Sequence, residues 1–62
     1  MKTFRRGQRV IVQLRKGGFE YIGRYDRKGF DCHYVDFPRW NYGTDQVEQI
    51  EVYVKDSQIR SA

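Results

Sequence analysis

The sequence predicts an all-β fold, a small closed barrel of five short strands with one helical turn before the last strand. The chain has 62 residues, which is enough for a single domain with a small core. Its apolar residues repeat with a period close to two, as in strands with one buried face. Glycines separate these runs, and no stretch of about ten residues has the 3.6-residue period of an amphipathic helix.

The first two strands are predicted to form a hairpin. Val10, Val12 and Leu14 alternate with Arg9, Ile11 and Gln13, so this strand is expected to turn one face to the core. The segment 16–18 contains paired glycines, which supply the positive φ of a tight turn. The second strand covers residues 19–25. A glycine in mid-strand, Gly23, predicts a bend or the close approach of another segment.

The third strand is predicted over residues 30–37, after a turn at 26–29 that ends in glycine. Val35 and Phe37 are expected to point inward. Pro38 should end this strand, because proline lacks the N–H that a sheet ladder requires.

A short helical turn is predicted over residues 45–50, because Asp45 and Glu48 have the spacing of a capping box. The last strand follows at 51–55, and the polar tail is expected to fray. The expected boundaries are a barrel at about residues 7–55 and frayed termini at 1–5 and 56–62.

The composition excludes several classes of protein. Cys32 is the only cysteine and His33 the only histidine, so the chain cannot form an internal disulfide or a four-ligand zinc site. No metal or cofactor is expected. The longest aliphatic run, residues 10–12, is far shorter than the roughly 20 apolar residues that span a bilayer, and no signal-peptide pattern is present. We therefore expect a cytoplasmic protein without a membrane segment.

The charge is unevenly distributed along the chain. The net charge is +4, but residues 1–30 hold nine basic and two acidic residues, whereas residues 31–62 hold three basic and six acidic residues. A basic half favours an anionic partner such as DNA or RNA, although a solvated dipolar surface has the same composition. Only Arg24 and the outward residues of the first strand, Arg9 and Gln13, could join the hairpin tips into one basic stripe. The candidate nucleic-acid contacts are Arg5, Arg6, Arg9, Arg15, Lys16, Arg24, Arg27, Lys28 and Arg39.

Aromatic residues make up 16% of the chain and are interleaved with the basic residues. Exposed rings stack on unpaired bases. The candidate stacking or aromatic-cage residues are Tyr21, Tyr25, Phe37, Trp40 and Tyr42. Trp40 is either a plug over the end of the barrel or an exposed platform. An exposed Trp40 could form a cage with Tyr21, Phe37 and Tyr42 for a methylated ammonium group.

Several short motifs are spread over residues 7–54. They are Gly7-x-Arg9-Val10, Tyr21-Ile22-Gly23, Tyr34-Val35-Asp36-Phe37 and Tyr42-Gly43-Thr44, followed by Val47 and Ile50. Together they resemble an SH3-like barrel, and within that group the Tudor-type domains. The segment Pro38-Arg39-Trp40 departs from the Tudor pattern. The resemblance implies a five-stranded SH3-like barrel that acts by binding.

Catalysis is not expected, and no catalytic residue is assigned. Cys32 and His33 are neighbours in a strand, so their side chains point to opposite faces and cannot form a nucleophile–base pair. Cys32 is interpreted as a packing residue and His33 as a surface residue. The favoured function is non-enzymatic nucleic-acid binding by an accessory or regulatory module. The alternative is a protein-interaction module that uses the aromatic loop and the acidic C-terminal half, and formation of a homodimer stays open.

Overall fold

The computed structural model describes all 62 residues and contains one antiparallel sheet. Its elements are β1 (Arg9–Gln13), β2 (Glu20–Lys28), β3 (His33–Asn41), β4 (Gln46–Val54), a 3₁₀ turn (Asp56–Gln58) and β5 (Ile59–Ser61). The strand order is β4-β3-β2-β1-β5, with β4 and β5 as the two edges. The all-β class and the five strands are confirmed, but the sheet is not closed into a barrel. No helix here has the length and apolar character needed to cross a membrane.

The core lies on one face of the sheet. Val10 and Val12 of β1 are fully buried, as their alternation predicts. The other buried hydrophobic residues are Tyr25, Val35, Val54 and Ile59. Only eight of the 62 residues are buried. A large part of the apolar surface is therefore left exposed.

Gly23 lies at a close approach between strands, as predicted. A Cβ atom at this position would be 2.7 Å from Cγ1 of Val35 and 2.8 Å from Cε1 of Phe37. Gly23 pairs with Val10 in β1 and is itself buried. Any side chain here would push β3 away from β2.

β2 does not end at the turn predicted for residues 26–29. The register shifts around Asp26, an extra residue that forms a β-bulge, and the strand continues to Lys28. The turn comes later, where the amide of Gly29 donates to the carbonyl oxygen of Cys32 at 2.8 Å. The local turn signal is misleading because a bulge absorbs one residue without ending the ladder.

Pro38 does not end β3, which continues to Asn41. β2 pairs with β3 only as far as Asp36, and beyond that point β3 pairs with β4 alone. A strand with one free side tolerates proline, because the missing N–H leaves no gap in the ladder. Residues 39–41 are therefore strand, and the turn starts at Tyr42.

Residues 45–50 do not form the predicted helical turn. Oδ1 of Asn41 accepts a hydrogen bond from the amide of Gly43 at 2.9 Å, and Asp45 has a φ of 56°. This tight turn leads directly into β4, and the ladder with β3 satisfies the backbone groups that a helical turn would pair. A helical turn does precede the last strand, but at residues 56–58.

The terminal segments, expected to fray at 1–5 and 56–62, both contact the sheet. β5 pairs with β1, and Ile59 belongs to the core. Phe4 packs against the same core. Lys2 Nζ donates to the carbonyl oxygen of Ile59 at 2.8 Å. One apolar residue at each end therefore anchors its terminus.

Candidate nucleic-acid interface

Three shallow grooves meet at Leu14, beside the β1–β2 turn, and we call their combined lining the hairpin-end surface. Its residues are Gln13, Leu14, Arg15, Lys16, Gly18, Phe19, Tyr21, Ile22, Phe37, Pro38, Ile50, Val52, Lys55, Ser57 and Gln58. None of them is acidic, although the chain contains eight Asp and Glu residues. The lining of these three grooves therefore combines apolar, aromatic and basic groups without a carboxylate, whereas Asp31 and Asp56 line a neighbouring groove of about 680 Å³ that shares Lys55 and Ser57.

The first groove is apolar and has a volume of about 360 Å³. Its lining is Leu14, Tyr21, Ile22, Phe37, Pro38, Ile50 and Val52. Leu14 and Phe37 each lie two residues beyond a buried valine, Val12 and Val35 respectively, and share its face of the sheet. The groove is thus a continuation of the core face that no segment of the chain covers. This is why Leu14 is half exposed although it belongs to the predicted alternation.

The second groove, of about 350 Å³, places a cation beside aromatic rings. The predicted turn is confirmed: the amide of Gly18 donates to the carbonyl oxygen of Arg15 at 2.9 Å, and Gly17 has a φ of 77°. Arg15, Phe19 and Tyr21 line the groove together. Phe19 is 84% exposed, so its ring is free to contact a ligand. A free ring beside a cation suits the base and the phosphate of a nucleotide.

The third groove, of about 430 Å³, is polar and contains two lysines, Lys16 and Lys55. The side-chain amide of Gln58 donates to the carbonyl oxygen of Leu14 at 3.1 Å. The Gln58 side-chain oxygen accepts from the amide of Lys55 at 2.7 Å. Gln58 therefore ties Lys55 to the end of β1. Neither lysine forms an ion pair within the chain, so both ammonium groups are available to an anion.

The predicted basic stripe across the sheet is interrupted by acidic residues. Arg9 and Arg24 are partners in the β1–β2 ladder. The same row continues with Asp36 in β3 and Glu51 in β4. Arg24 also donates to the carbonyl oxygen of Gly7 at 3.0 Å. An anion that crossed this row would meet two cations and then two carboxylates.

Arg27 and Arg6, two of the predicted phosphate contacts, are compensated within the chain. Arg27 bonds Glu51 at 2.7 Å and also bonds Asp26. Its guanidinium carbon lies 4.1 Å from the ring centroid of Tyr34. The hydrogen bonds to Glu51, and then to Asp26, raise the pKa of Arg27 above its ordinary value. Arg6 is 3.2 Å from Asp26. Both charges already have protein partners.

The acidic cluster of Asp26, Asp36 and Glu51 has a spacing that a divalent cation could bridge. Ligand oxygens of Asp26, Asp36 and Glu51 lie within 4.8 Å of one another. Arg27 already bonds two of these three residues. The chain therefore supplies its own cation to the cluster, which works as an ion-pair network.

The remaining predicted cations are dispersed. Arg39 has the strand parity of Phe37, so it shares a face with a residue of the hairpin-end surface. Lys28 lies at the opposite end of β2 from the β1–β2 turn, and Arg5 precedes β1. None of these three forms an ion pair. Of the nine predicted contacts, only Arg15 and Lys16 line the grooves.

The predicted aromatic residues do not form one cage. Tyr21 and Phe37 line the apolar groove. Trp40 is three residues from Phe37 in β3 and therefore faces the other way. It is 46% exposed, a platform and not a plug, and its ring contacts Tyr42 edge to face with centroids 6.4 Å apart. Tyr25 is buried, so it cannot stack on a ligand.

His33 is buried, so its prediction as a surface residue is wrong. Its Nδ1 lies 2.8 Å from the hydroxyl of Tyr25 and its Nε2 lies 2.9 Å from Oδ1 of Asp56. Burial raises the pKa of Tyr25. The hydrogen bond to His33, and then the one from the backbone amide of Lys2, lower the pKa of Asp56. This network holds the 3₁₀ turn in place, directly after Lys55.

One ring and one cation of the hairpin-end surface, Phe19 and Lys55, are absent from the predicted site. Phe19 has a local signal, because an aromatic residue directly after a Gly-Gly turn is expected near a hairpin tip. Lys55 has none, because it reaches the β1–β2 end only through the return of the chain after β4. Long-range placement therefore completes the site.

Comparison with known proteins gives no relative of this chain. No protein-family model, no curated protein and no solved structure matches it.

Proposed function

We propose that this chain is a small, non-enzymatic module that binds DNA or RNA on the hairpin-end surface and acts as an accessory or regulatory factor. The observation that carries the proposal is the joining of three grooves, free of carboxylates, in a chain with eight acidic residues. Arg15, Lys16 and Lys55 supply positive charge to this surface, and Phe19 and Tyr21 supply rings. Phosphates and bases need these two kinds of group.

The expected binding is driven by phosphate contacts and depends on salt. Each neutralised phosphate contributes about −0.7 on single strands and about −0.9 on duplex DNA to the slope of log affinity against log salt. If Arg15, Lys16 and Lys55 each neutralise one phosphate, the slope should be about −2 to −3. Affinity of this kind is sequence-independent.

We further infer that the chain has an SH3-like arrangement, with the Tudor-type domains as the nearest group. β1 to β4 follow one another as neighbours, a short helical turn precedes the last strand, and that strand returns to pair with β1. The bond from Gln58 to Leu14 supports the proposal by holding the helical turn against the end of β1. The inferred arrangement does not include a ladder between β4 and β5 that would close the sheet.

The proposal is tested by comparing Lys16→Ala with Lys28→Ala. Both lysines lack an ion pair, but only Lys16 lines a groove. Fluorescence anisotropy with labelled oligonucleotides at about 50 and 200 mM salt gives affinity and slope. Lys16→Ala should weaken binding and reduce the slope by about 1. Lys28→Ala should change neither. Equal effects of the two substitutions on affinity and slope would exclude this surface as the binding face. No binding of the oligonucleotides at low salt would refute the proposed function.

A protein-interaction module is the second candidate, favoured by the uncovered apolar groove. Tyr21 and Phe37 line it, and Trp40 is exposed on the other face of β3. Apolar contact with a peptide would respond far less to salt than phosphate contact does. Weak salt dependence, together with unchanged binding in Lys16→Ala, would select this alternative.

A further inference from the structure

The hairpin-end surface contains two chemically different subsites that share an edge. The apolar groove and the polar groove both include Leu14 in their lining. The apolar groove joins Leu14 with Tyr21 and Phe37, and the polar groove joins Leu14 with Lys16 and Lys55. Any extended ligand that covers Leu14 therefore meets apolar rings and ammonium groups at the same time.

We propose that the occupant of this surface is a single-stranded nucleic acid, with unpaired bases against Phe19, Tyr21 and the apolar groove and phosphates on Arg15, Lys16 and Lys55. The inference rests on the proposed function and specifies its ligand. Rings with free faces bind bases by stacking, which requires that the bases are not already paired and stacked in a duplex. The adjoining cations match the phosphates that connect successive bases.

A duplex uses this surface poorly. It presents phosphates on its outside, so it would engage Lys16 and Lys55 but leave Phe19 and the apolar groove without a base to contact. Phe19 is 84% exposed, and Leu14 and Tyr21 are each about half exposed. A single strand can cover these apolar groups while keeping its phosphates on the lysines. The single strand should therefore bind more tightly than the duplex, because only the single strand makes the apolar contact.

The experiment compares three probes of about 12 nucleotides: a labelled single strand, its duplex and an abasic oligomer with the same phosphodiester backbone. Affinities are measured by anisotropy at one low salt concentration. The single strand should bind at least about tenfold more tightly than the other two, since each stacked base contributes about 5- to 150-fold in affinity. The abasic oligomer isolates the phosphate contribution.

Phe19→Ala and Phe30→Ala form a matched pair of variants. Both rings lie in turns between strands and are largely free, at 84% and 100% exposed, but only Phe19 lines a groove of the surface. Phe19→Ala should weaken binding of the single strand about 5-fold or more and leave binding of the abasic oligomer unchanged. Phe30→Ala should change neither. Circular dichroism on both variants establishes that they remain folded.

The outcomes separate the two proposals. Equal affinity for single strand, duplex and abasic oligomer, with no effect of Phe19→Ala, would overturn the single-strand assignment and leave phosphate-driven binding intact. Tighter binding of the duplex would also overturn it. No binding of any probe at low salt would overturn the proposed function itself, and a protein partner would then be sought for the apolar groove.

Discussion

The imidazole of His33 in β3 is hydrogen-bonded through Nε2 to the carboxylate of Asp56, 2.9 Å away in the 3₁₀ turn. The same carboxylate oxygen accepts the backbone amide of Lys2 at 2.7 Å. One buried ring therefore joins the sheet, the 3₁₀ turn and the N-terminal segment. Since Lys55 directly precedes this turn, the network also positions a cation of the hairpin-end surface.

Replacement of His33 should destabilise the fold. His33→Phe keeps a ring of similar shape but leaves the hydroxyl of Tyr25 without its partner in the core. An unsatisfied buried polar group costs about 1–3 kcal/mol, so the free energy of unfolding should fall by about that amount. Chemical denaturation measures the change. Gln46→Ala, at an exposed position, is the control, and equal stability of the two variants would contradict a structural role for His33.

Acid should destabilise the protein through Asp56. The hydrogen bond to His33, followed by that from Lys2, lowers the pKa of this carboxyl in the folded state. A lowered folded pKa contributes stability above the unfolded value, which is about 4, and this contribution is lost as the pH falls through the folded pKa. Denaturation between about pH 2 and pH 6 should show the loss. Asp56→Asn should reduce this dependence, whereas Asp31→Asn, which removes a carboxyl without an ion pair, should preserve it.

Gly23 should not tolerate a side chain. In Gly23→Ala the added methyl group would lie 2.7 Å from Cγ1 of Val35, 2.8 Å from Cε1 of Phe37 and 2.9 Å from the carbonyl oxygen of Asp36. Overpacking of this kind costs about 1–3 kcal/mol, which thermal unfolding would detect. Gly43→Ala meets only the flexible side chain of Asn41, at 3.2 Å, and should cost less. A larger effect at Gly43 would mean that β2 and β3 are not in close contact.

Replacement of Arg27 should lower the melting temperature, whereas replacement of the adjacent Lys28 should not. Arg27→Ala leaves the carboxylates of Asp26, Asp36 and Glu51 close together with Arg6, bonded to Asp26, as their remaining ion-pair partner, so the melting temperature should fall. Lys28→Ala removes no ion pair and should leave it unchanged. The loss in Arg27→Ala should shrink in high salt, because ions screen the exposed repulsion. Matching melting curves at low salt would contradict the network.

The features that the sequence predicts correctly are determined by residues that lie close together in the chain. The alternation of Val10 and Val12 identifies the buried face of β1, and the glycines at 17 and 18 identify the hairpin turn. The close approach at Gly23 also follows from a local rule. His33 has the parity of buried Val35, so the same alternation contains the signal for its burial. The interpretation of His33 as a surface residue conflicts with this alternation.

The wrong predictions arise where contact with another segment overrides the structure that the local sequence favours. Pro38 would end a central strand, but β3 continues because β2 no longer pairs with it at that point. The polar tail would fray, but Ile59 is buried against β1. The sequence predicts Arg27 as a phosphate contact, but ion pairs with Asp26 and Glu51 compensate its charge. Apart from Asp26, which directly precedes Arg27, these partners lie far away in the sequence.

The sequence by itself determines the all-β class, the first hairpin and a basic N-terminal half, because strand periodicity, turn chemistry and charge are properties of short segments. Only the tertiary structure decides that Lys55 comes to lie in one groove with Lys16, that Phe19 stays uncovered, and that Arg27 is paired. The physical reason is that grooves and ion pairs form between residues far apart in the chain. Their existence depends on which strands meet and which faces remain uncovered.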